Sequence, residues 1–360
     1  MLDDLLAQLR LTAPDDAKIG ILQPADPFLE TAGEDLRRRI FITETIDGVV
    51  HCLRPEFTIP ICLQHVAMGV NKARYSYGGS VFRQARTGAN EFQQVGLEDL
   101  GESDRASADV ASILDLDRAL SKVGIANSSI VLGDQNLFAV VVESLKLPQA
   151  IALRLVRNFG APALVEAQID RLTKKNGGSN GQTSSEAEAL ALAGDLIGLV
   201  QHVEARMREG NIAFQAGRSP QAIAERMVDK VREAQFQLDS KSADTLRRYL
   251  SMEVPMSEAP QVLMDFANQT GLTFGLAGKE FFQRVDVLKQ VGLDLDRITY
   301  KASLGRNLEY YTGMLFEASV GDAVVAGGGR YDRLCSLLGA RDPIPAVGFS
   351  ISLDRLEGVL

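Results

Sequence analysis

Apolar and polar residues alternate along the first 145 or so residues with two different periods. Short runs follow the two-residue period of strands, and a longer stretch follows the period of a helix that ends at about Val123, with Ser103 or Asp104 as its cap. This alternation predicts an α+β organisation with a largely antiparallel sheet. The strands predicted in this part are Ile40 to Thr43, Gly48 to Leu53 and Ile130 to Leu132.

From about Leu147 to Pro255 the pattern predicts helices instead. One amphipathic helix is predicted to begin at Ser219-Pro220, because serine is a favoured cap and proline a favoured first helical residue. The tract from Lys174 to Ser185 is rich in glycine, serine and asparagine, which predicts a flexible surface linker. We therefore expect a helical segment between two sheet-forming segments.

Strand patterns return in the last part of the chain, at Ile298 to Ser303, Met314 to Val320 and Ala323 to Ala326. The run Gly327 to Gly329 has two interpretations. It could cradle a phosphate at the start of a helix that continues to Leu338, or it could form a tight turn. The turn is the commoner role of such a run, and it is the one predicted.

Composition is that of an ordinary globular protein: 360 residues, 46% of them hydrophobic and 24% charged. The formal net charge of -9 opposes a broad nucleic-acid surface, since phosphate backbones are bound by clustered lysine and arginine. Apolar runs such as Phe138 to Val142 are of strand length and too short to span a bilayer. We expect neither a nucleic-acid partner nor a membrane.

The start of the chain lacks the basic and apolar regions of a signal peptide, and its three cysteines cannot all pair, so the cytoplasm is the expected compartment. The three histidines, His51, His65 and His202, lack the spacing and the cysteine partners of a zinc site. No metal and no cofactor are predicted.

Four polar residues of the first segment have the chemistry of an amino-acid pocket. Glu56 offers a carboxylate to an ammonium, Arg83 a fork for a carboxylate, and Gln94 with Glu98 acceptors for a polar side chain. The competing interpretation makes Arg83 and Glu98 an internal ion pair of the sheet. Tyr310 and Tyr311 could likewise be packing residues of a strand.

The order of these residues resembles histidyl-tRNA synthetases, in which "RPEGT", the motif 2 arginine and "FHQxGxE" form the histidine pocket. Later segments resemble the "RGLDYY" and "AGGRYD" signatures and class II motif 3. The resemblance implies a class II aminoacyl-tRNA synthetase-like core with a helical insertion. The matching segments are Leu53 to Thr58, Val81 to Arg83, Phe92 to Glu98, Gly305 to Tyr311, Ala326 to Asp332 and Gly348 to Arg355.

Three departures from the synthetase pattern concern nucleotide and tRNA binding. The chain ends five residues after Arg355, where a synthetase has an anticodon-binding domain of about a hundred residues. The motif 2 loop is shorter and ends in Asn90-Glu91, where a basic stretch would meet ATP. Ser352 replaces a glycine that adjoins the adenine. The pattern resembles the synthetase-like regulatory subunits of ATP phosphoribosyltransferase, without an anticodon-binding domain.

This resemblance implies a division of the chain and a role for each pocket residue. Residues 1–150 and 256–360 would form the core, and residues 151–255 the helical insertion. Glu56, Thr58 and Gln94 would hold the α-amino group of histidine, Arg306 its carboxylate, and Glu98 with Tyr311 its imidazole. The full expected histidine-binding set is Glu56, Thr58, Arg83, Gln94, Glu98, Arg306, Tyr310, Tyr311 and Tyr331.

The resemblance further implies a noncatalytic subunit of the first enzyme of histidine biosynthesis. Such a subunit supports a short catalytic subunit and confers feedback inhibition by L-histidine. The motif 1 region that the resemblance implies comprises Ile21 to Leu29 and Gly33 to Arg39. We expect a homodimer through this region within a hetero-oligomer, with a hetero-octamer as the expected assembly. The alternatives are a truncated histidyl-tRNA synthetase and a related amino-acid-activating enzyme. Whether the effector occupies the synthetase-like pocket or an interface stays open.

Overall fold

The computed structural model of the chain describes residues 1–126, 128–174, 186–210, 219–305 and 310–360. These residues form two compact units. The first comprises Met1–Val141, Phe159–Pro162 and Arg248–Leu360, and the second Val142–Asn158 and Ala163–Arg247. The second unit is helical and occupies the same part of the chain as the expected insertion. The division at residues 150 and 255 stays a prediction.

The first unit is built on a nine-stranded sheet. All neighbouring strands in it run antiparallel except the parallel pairs β1 with β5 and β7 with β9, as the α+β prediction requires. Its strands, in spatial order, are β1 (Asp15–Asp16), β5 (Ala73–Phe82), β6 (Glu91–Leu100), β12 (Ala346–Ser352), β11 (Ala323–Arg330), β10 (Met314–Val320), β7 (Ser129–Asp134), β9 (Ile298–Lys301) and β8 (Glu253–Pro255).

A separate three-stranded antiparallel sheet has β4 between β2 and β3. Ile42 and Val50 lie on one face of it and Leu22 on the other, and all three side chains are exposed. Apolar side chains are therefore exposed on both faces. The strands are β2 (Leu22–Pro24), β3 (Ile42–Glu44) and β4 (Val50–Leu53).

Helices flank the large sheet, and the longest of them begins where the sequence predicted. The side chain of Asp104 accepts a hydrogen bond from the backbone N–H of Ser107 at 3.1 Å and so caps the helix. The helices of this unit are α1 (Leu2–Arg10), α2 (Asp26–Thr31), α3 (Glu34–Arg37), α4 (Thr58–Met68), α5 (Arg105–Lys122), α13 (Ala259–Thr270), α14 (Gly275–Gln290), α15 (Leu334–Leu337) and α16 (Leu353–Glu357), with a 3₁₀ turn at Leu295–Arg297.

The second unit has a small apolar core of its own, formed by Ala187, Ala191, Leu199, Ala224 and Val228. The helix predicted at Ser219-Pro220 is present, and Ser219 Oγ accepts from the backbone N–H of Ala222 at 3.2 Å. The helices are α7 (Gln149–Arg157), α8 (Pro162–Thr173), α9 (Glu186–Ala193), α10 (Leu196–Glu209), α11 (Pro220–Gln235) and α12 (Ser240–Leu250), while α6 (Gln135–Ser144) continues from the first unit into the second along the chain.

The predicted tight turn at Gly327 to Gly329 is wrong, because these glycines lie inside β11. Neighbouring strands approach them so closely that a side chain would not fit. A Cβ on Gly328 would lie 2.1 Å from the carbonyl oxygen of Gly348, and one on Gly329 would lie 2.5 Å from that of Met314. Glycine within a strand often marks such close backbone approach.

Two other local expectations differ from the structure. Phe138 to Val142 has the length of a strand but lies in α6, where Phe138 and Val141 are buried. Tyr310 and Tyr311 lie outside the strands, between residue 309 and β10. Short apolar runs do not distinguish strand from helix by themselves, which explains the first difference. Most of the tract predicted as a linker, residues 175–185, lies outside the described residues.

Across the described segments of the chain, no helix is both long enough and apolar enough to cross a membrane.

A buried network of charged residues joins the helices to the sheet. The Asp109 carboxylate on α5 accepts from Arg284 Nε on α14 at 2.9 Å and from Arg330 Nη2 on β11 at 2.6 Å. Arg284 also donates to Asp134 at the end of β7, at 3.0 Å. All four side chains are almost fully buried. Because each charge has an opposite partner, the network avoids the cost of an isolated buried ion.

We predict that Asp109→Ala lowers the free energy of unfolding of the first unit by about 3 to 5 kcal/mol, because it leaves two buried guanidinium groups without their shared partner. Urea denaturation followed by circular dichroism measures the change. The control is Glu253→Ala, which removes a partly exposed ion pair with Lys301 and should cost about 1 kcal/mol or less. Equal losses in the two variants would contradict the structural importance of Asp109.

Candidate functional site

A small, partly enclosed cavity of about 140 Å³ lies in the first unit at the face of β6, β11 and β12. Its volume suits a ligand of about the size of one aromatic ring with short substituents. Eight of the nine residues predicted from the sequence line it: Glu56, Thr58, Arg83, Gln94, Glu98, Tyr310, Tyr311 and Tyr331. The ninth, Arg306, lies outside the described residues.

Glu56 lies in the loop before α4 and caps that helix. Its two carboxylate oxygens accept from the backbone N–H groups of Thr58 at 2.7 Å and Ile59 at 2.9 Å. These groups are among the unpaired donors of the first helical turn. Burial raises the pKa of Glu56, and the helix N–H groups oppose that shift. Each oxygen retains a second lone pair, so Glu56 can accept from a ligand as well.

Glu98 lies in the middle of β6 and is almost fully buried. One of its oxygens accepts from the Thr58 hydroxyl at 2.7 Å, and the other accepts from the Tyr331 hydroxyl. Burial raises the pKa of Glu98 to about 8, although these hydroxyl donors act in the opposite direction. Neither partner carries a charge. Glu98 is therefore a buried acid whose hydrogen-bond donors are neutral hydroxyl groups.

Glycines in the adjoining strands create the space for these side chains. Gly348 on β12 lies directly opposite Glu98, and a Cβ there would be 1.7 Å from Glu98 Oε2. Gly96 on β6 lies opposite Tyr77 on β5, and a Cβ there would be 2.4 Å from the Tyr77 hydroxyl oxygen. The carboxylate and the phenol thus occupy volume that any larger residue at positions 348 and 96 would fill.

Arg83 supplies a cation at the rim of the cavity. Its Nε donates to the carbonyl oxygen of Pro55 at 2.8 Å, and its guanidinium carbon lies 5.1 Å from the ring centroid of Phe92. The positive charge of Arg83 also favours the ionised form of Glu56. Gln94 is buried on β6, and its side chain lines the cavity.

Aromatic rings form much of the remaining wall. The rings of Tyr310 and Tyr311 have centroids 5.0 Å apart, and Tyr310 meets Tyr331 edge to face at 5.9 Å. Tyr77 stacks on Phe57 at 4.5 Å and donates to the carbonyl oxygen of Phe349 at 3.1 Å. Such walls suit a flat ring with polar atoms at its edge.

The predicted set of site residues omits several lining residues, namely Asp35, Arg39, Tyr77, Gly348 and Ser350, although the last two lie in the segment that resembles motif 3. Arg39 donates to the carbonyl oxygen of Gln84 at 3.0 Å and lies 3.6 Å from Asp35. A strand-period signal existed for Tyr77, because Tyr75 and Tyr77 alternate along β5. The role of Gly348 depends on its pairing with Glu98, which lies 250 positions away in the sequence.

The arrangement is suited to binding more than to bond cleavage. It combines two buried carboxylates, an arginine, a carboxamide and several hydroxyls, which together match an ammonium, a carboxylate and a polar ring. Within the residues that the structure describes, no group of histidine, cysteine and acidic side chains could hold a metal ion.

The family model for histidyl-tRNA synthetase matches residues 17–279 and 215–356. Solved structures give the same class of fold. A protein titled ATP phosphoribosyltransferase regulatory subunit/histidyl-tRNA synthetase from Bacillus halodurans has a TM-score of 0.66 at 18% identity, with 99% of this chain and 78% of that chain covered. Histidyl-tRNA synthetase from Nostoc sp. PCC 7120 has a TM-score of 0.66 at 15% identity, with 100% and 72% covered. The fold is that of a class II aminoacyl-tRNA synthetase core.

More similar sequences narrow this class. The ATP phosphoribosyltransferase regulatory subunit of Mesorhizobium japonicum is 46% identical over 346 residues, with 95% of this chain and 92% of that protein covered. The protein of the same name from Allorhizobium ampelinum is 45% identical over 368 residues, with 99% and 95% covered. The chain belongs to the family of histidyl-tRNA synthetase-like ATP phosphoribosyltransferase regulatory subunits.

We predict that Gly348→Ala lowers the free energy of unfolding by about 1 to 3 kcal/mol, because the added methyl group overlaps Glu98 and the backbone of Leu97. Gly358→Ala is the matched control. Its added Cβ would have no neighbour closer than 3.5 Å, so its effect should stay within about 0.5 kcal/mol. Thermal denaturation of both variants tests the difference. A Gly348→Ala protein as stable as the control would refute the close packing described for Glu98.

Proposed function

We propose that this chain is a noncatalytic, cytoplasmic regulatory subunit that supports a short ATP phosphoribosyltransferase catalytic subunit and makes it sensitive to L-histidine. The observation that carries this proposal is a cavity with amino-acid-binding chemistry in a member of a regulatory-subunit family. The effector is proposed to occupy that cavity. An interface site is the other location that the resemblance leaves open.

The proposed pose matches each end of histidine with groups of the cavity. The ammonium would donate to Glu56, to Gln94 and to the hydroxyl oxygen of Thr58. The α-carboxylate would meet Arg306, which the resemblance assigns to it and which lies outside the described residues, with Arg83 as a second cation at the cavity rim. The imidazole would reach the Glu98 end between the tyrosine rings. Burial of these polar groups supports selectivity, because a ligand that leaves one of them unpaired loses about 1 to 3 kcal/mol.

Features of the motif 2 loop support the absence of aminoacylation. The loop folds back on itself: the backbone N–H of Arg83 donates to the carbonyl oxygen of Asn90 at 2.9 Å, and that of Ala85 donates to Asn90 Oδ1 at 2.8 Å. Glu91 follows directly, and an anionic side chain repels nucleotide phosphates. Ser352 ends β12 at the position where a synthetase has glycine. A truncated synthetase is therefore the weaker candidate.

Feedback would operate as a coupling free energy between the histidine cavity and the catalytic subunit. Histidine would stabilise one arrangement of the assembly, and the catalytic subunit would be less active in that arrangement. α4 is a candidate for carrying the effect within this chain, because its first residues hold Glu56 and Thr58 at the cavity and its later part packs against α15.

We predict that Glu56→Gln weakens histidine binding about 10-fold to 100-fold, in line with the loss of a charged hydrogen bond to the ammonium. Isothermal titration calorimetry measures the affinity, and thermal denaturation verifies that α4 still forms. The control, Glu357→Gln, changes an exposed carboxylate on α16 and should bind like the wild type. Equal affinities of Glu56→Gln and the wild type would place the effector outside this cavity.

The regulatory role itself is tested with the purified short catalytic subunit. We expect its phosphoribosyl transfer to rise when this chain is added, and the stimulated activity to fall when histidine is then supplied. An ATP-pyrophosphate exchange assay with histidine should show no activity of this chain alone. Indifference of the catalytic subunit to this chain, or steady exchange by the chain itself, would overturn the proposed function.

The small sheet supports the expected homodimer through the motif 1 region. Its exposed residues Leu22, Ile42 and Val50 lie on both faces of a three-stranded sheet, and Ile21 and Val49 beside it are also exposed. Contiguous exposed apolar side chains of this kind mark protein–protein interaction surfaces. A second copy of the chain would cover these side chains. Catalytic subunits would complete a hetero-oligomer, for which a hetero-octamer remains the expected size.

We predict that the double variant Ile42→Asp with Val50→Asp shifts the chain from dimer to monomer, because burying two carboxylates in an apolar interface is unfavourable. Light scattering after size exclusion should then give a mass near 39.0 kDa in place of twice that value. Ile197→Asp, an exposed change in the second unit, should leave the dimer intact. A monomeric wild type would contradict the proposed interface.

A further inference from the structure

Within the part of the chain that the structure describes, the surroundings of Glu98 contain hydroxyl groups and another acid. Thr58 and Tyr331 donate to its two oxygens, and the Tyr77 hydroxyl is a third neutral neighbour. The carboxylate of Glu56, which has the same sign, raises the pKa of Glu98 further. Among the ion pairs of the described residues, none includes Glu98. An ionised Glu98 would thus be a buried anion beside another anion.

A buried carboxylate in this position keeps its proton near neutral pH, which agrees with its pKa of about 8. The other titratable groups around it do not compete for that proton. Burial raises the pKa of the Tyr77, Tyr310 and Tyr331 hydroxyls and of the Cys62 thiol, so these groups keep their protons near neutral pH. Among the described residues, the other titratable or charged groups that line the cavity or face Glu98 are Glu56, Arg83, Tyr311, Asp35, Arg39, Tyr75 on the paired strand β5, and Cys335.

We infer that Glu98 and the side-chain ring of the ligand hold a single proton between them, so that the cavity selects its ligand by the basicity of the ring as well as by its shape. This inference rests on the proposed function, in which histidine occupies the cavity. The carboxylic acid of Glu98 presents its O–H to a ring nitrogen. On transfer, that O–H bond breaks and an N–H bond forms, which leaves a carboxylate beside an imidazolium and creates no net charge.

The single proton in the complex determines how many protons binding exchanges with solvent at each pH. Near pH 7 the empty cavity brings one proton on Glu98 and free histidine brings a neutral ring, since its pKa is about 6.5. Binding then exchanges almost no proton with solvent. Near pH 5.5 both partners are protonated, so about one proton must leave. Above about pH 8 Glu98 in the empty cavity is ionised, so a proton must be taken up.

The first test is calorimetry of the full-length wild-type chain with L-histidine in buffers of different ionisation enthalpy. We expect near-zero proton exchange at about pH 7 and release of about one proton at about pH 5.5. Uptake of a proton at pH 7 would mean that Glu98 is already ionised in the empty cavity. No release at pH 5.5 would mean that the pair of Glu98 and the ring does not lose a proton on binding. Either result would overturn the inference.

A second test isolates Glu98 by comparing the wild type with Glu98→Gln. The ratio of their histidine affinities should fall about tenfold from pH 7 to pH 9, because only the wild type must regain a proton. The α-amino group of histidine affects both proteins equally. A ratio that stays constant or rises with pH would mean that Glu98 binds as a carboxylate beside a neutral ring, and would overturn the inference. If the variant binds too weakly, ¹⁵N NMR of ring-labelled histidine on the wild type reports the ring protonation directly.

Selection by basicity is tested with triazolylalanine, in which a nitrogen replaces one ring carbon and makes the ring a much weaker base at nearly constant shape. We expect about tenfold weaker binding at pH 7 and no proton release at pH 5.5. Equal affinity of the two amino acids would refute selection by basicity. Failure of histidine itself to bind at pH 7 would refute the proposed function instead, so the two failures are distinguishable.

Discussion

The first unit depends most on the buried ion pairs that the Asp109 carboxylate forms with two arginines. It lies within α5, and it receives hydrogen bonds from Arg284 on α14 and Arg330 on β11. Arg330 directly precedes Tyr331 and also donates to Asp332, whose carboxylate accepts from the backbone N–H of Ala346 at 2.9 Å. Three secondary-structure elements therefore meet at one buried charge, and the chain that leaves this point carries the tyrosine that donates to Glu98.

Close packing of the central strands forms the cavity itself. Gly96, Gly328 and Gly348 lie on neighbouring strands of the sheet, directly opposite Tyr77, Phe349 and Glu98 in turn. Each glycine leaves volume that a neighbouring side chain fills, so the polar atoms of the cavity are held without bulk solvent. The same packing explains the shifted protonation of Glu98, because exclusion of water disfavours its charged form.

A pocket of this kind can bind an amino acid and still catalyse nothing. Its charges and hydroxyls would satisfy the proposed zwitterion through hydrogen bonds, whereas activation of the carboxylate would further require a nucleotide held near Arg83 and β12. The folded motif 2 loop, with Glu91 behind it, and the serine at position 352 do not favour that nucleotide. Under the proposed function, amino-acid binding and nucleotide-dependent activation depend on different residues of the same scaffold. Binding can therefore be retained where activation is lost.

By itself, the sequence determined the caps of two helices and the identity of eight cavity residues. Asp104 and Ser219 cap helices through contacts within four residues, and the ordered motifs identified Glu56, Gln94 and Glu98 as neighbours. Only the tertiary structure decided that Gly327 to Gly329 form part of a strand and that Glu98 is surrounded by neutral hydroxyls. The glycines pair with β10 and β12, and Glu98 accepts from Tyr331, which lies 233 residues away in the sequence. Neither local spacing nor residue type shows which of these segments lie side by side.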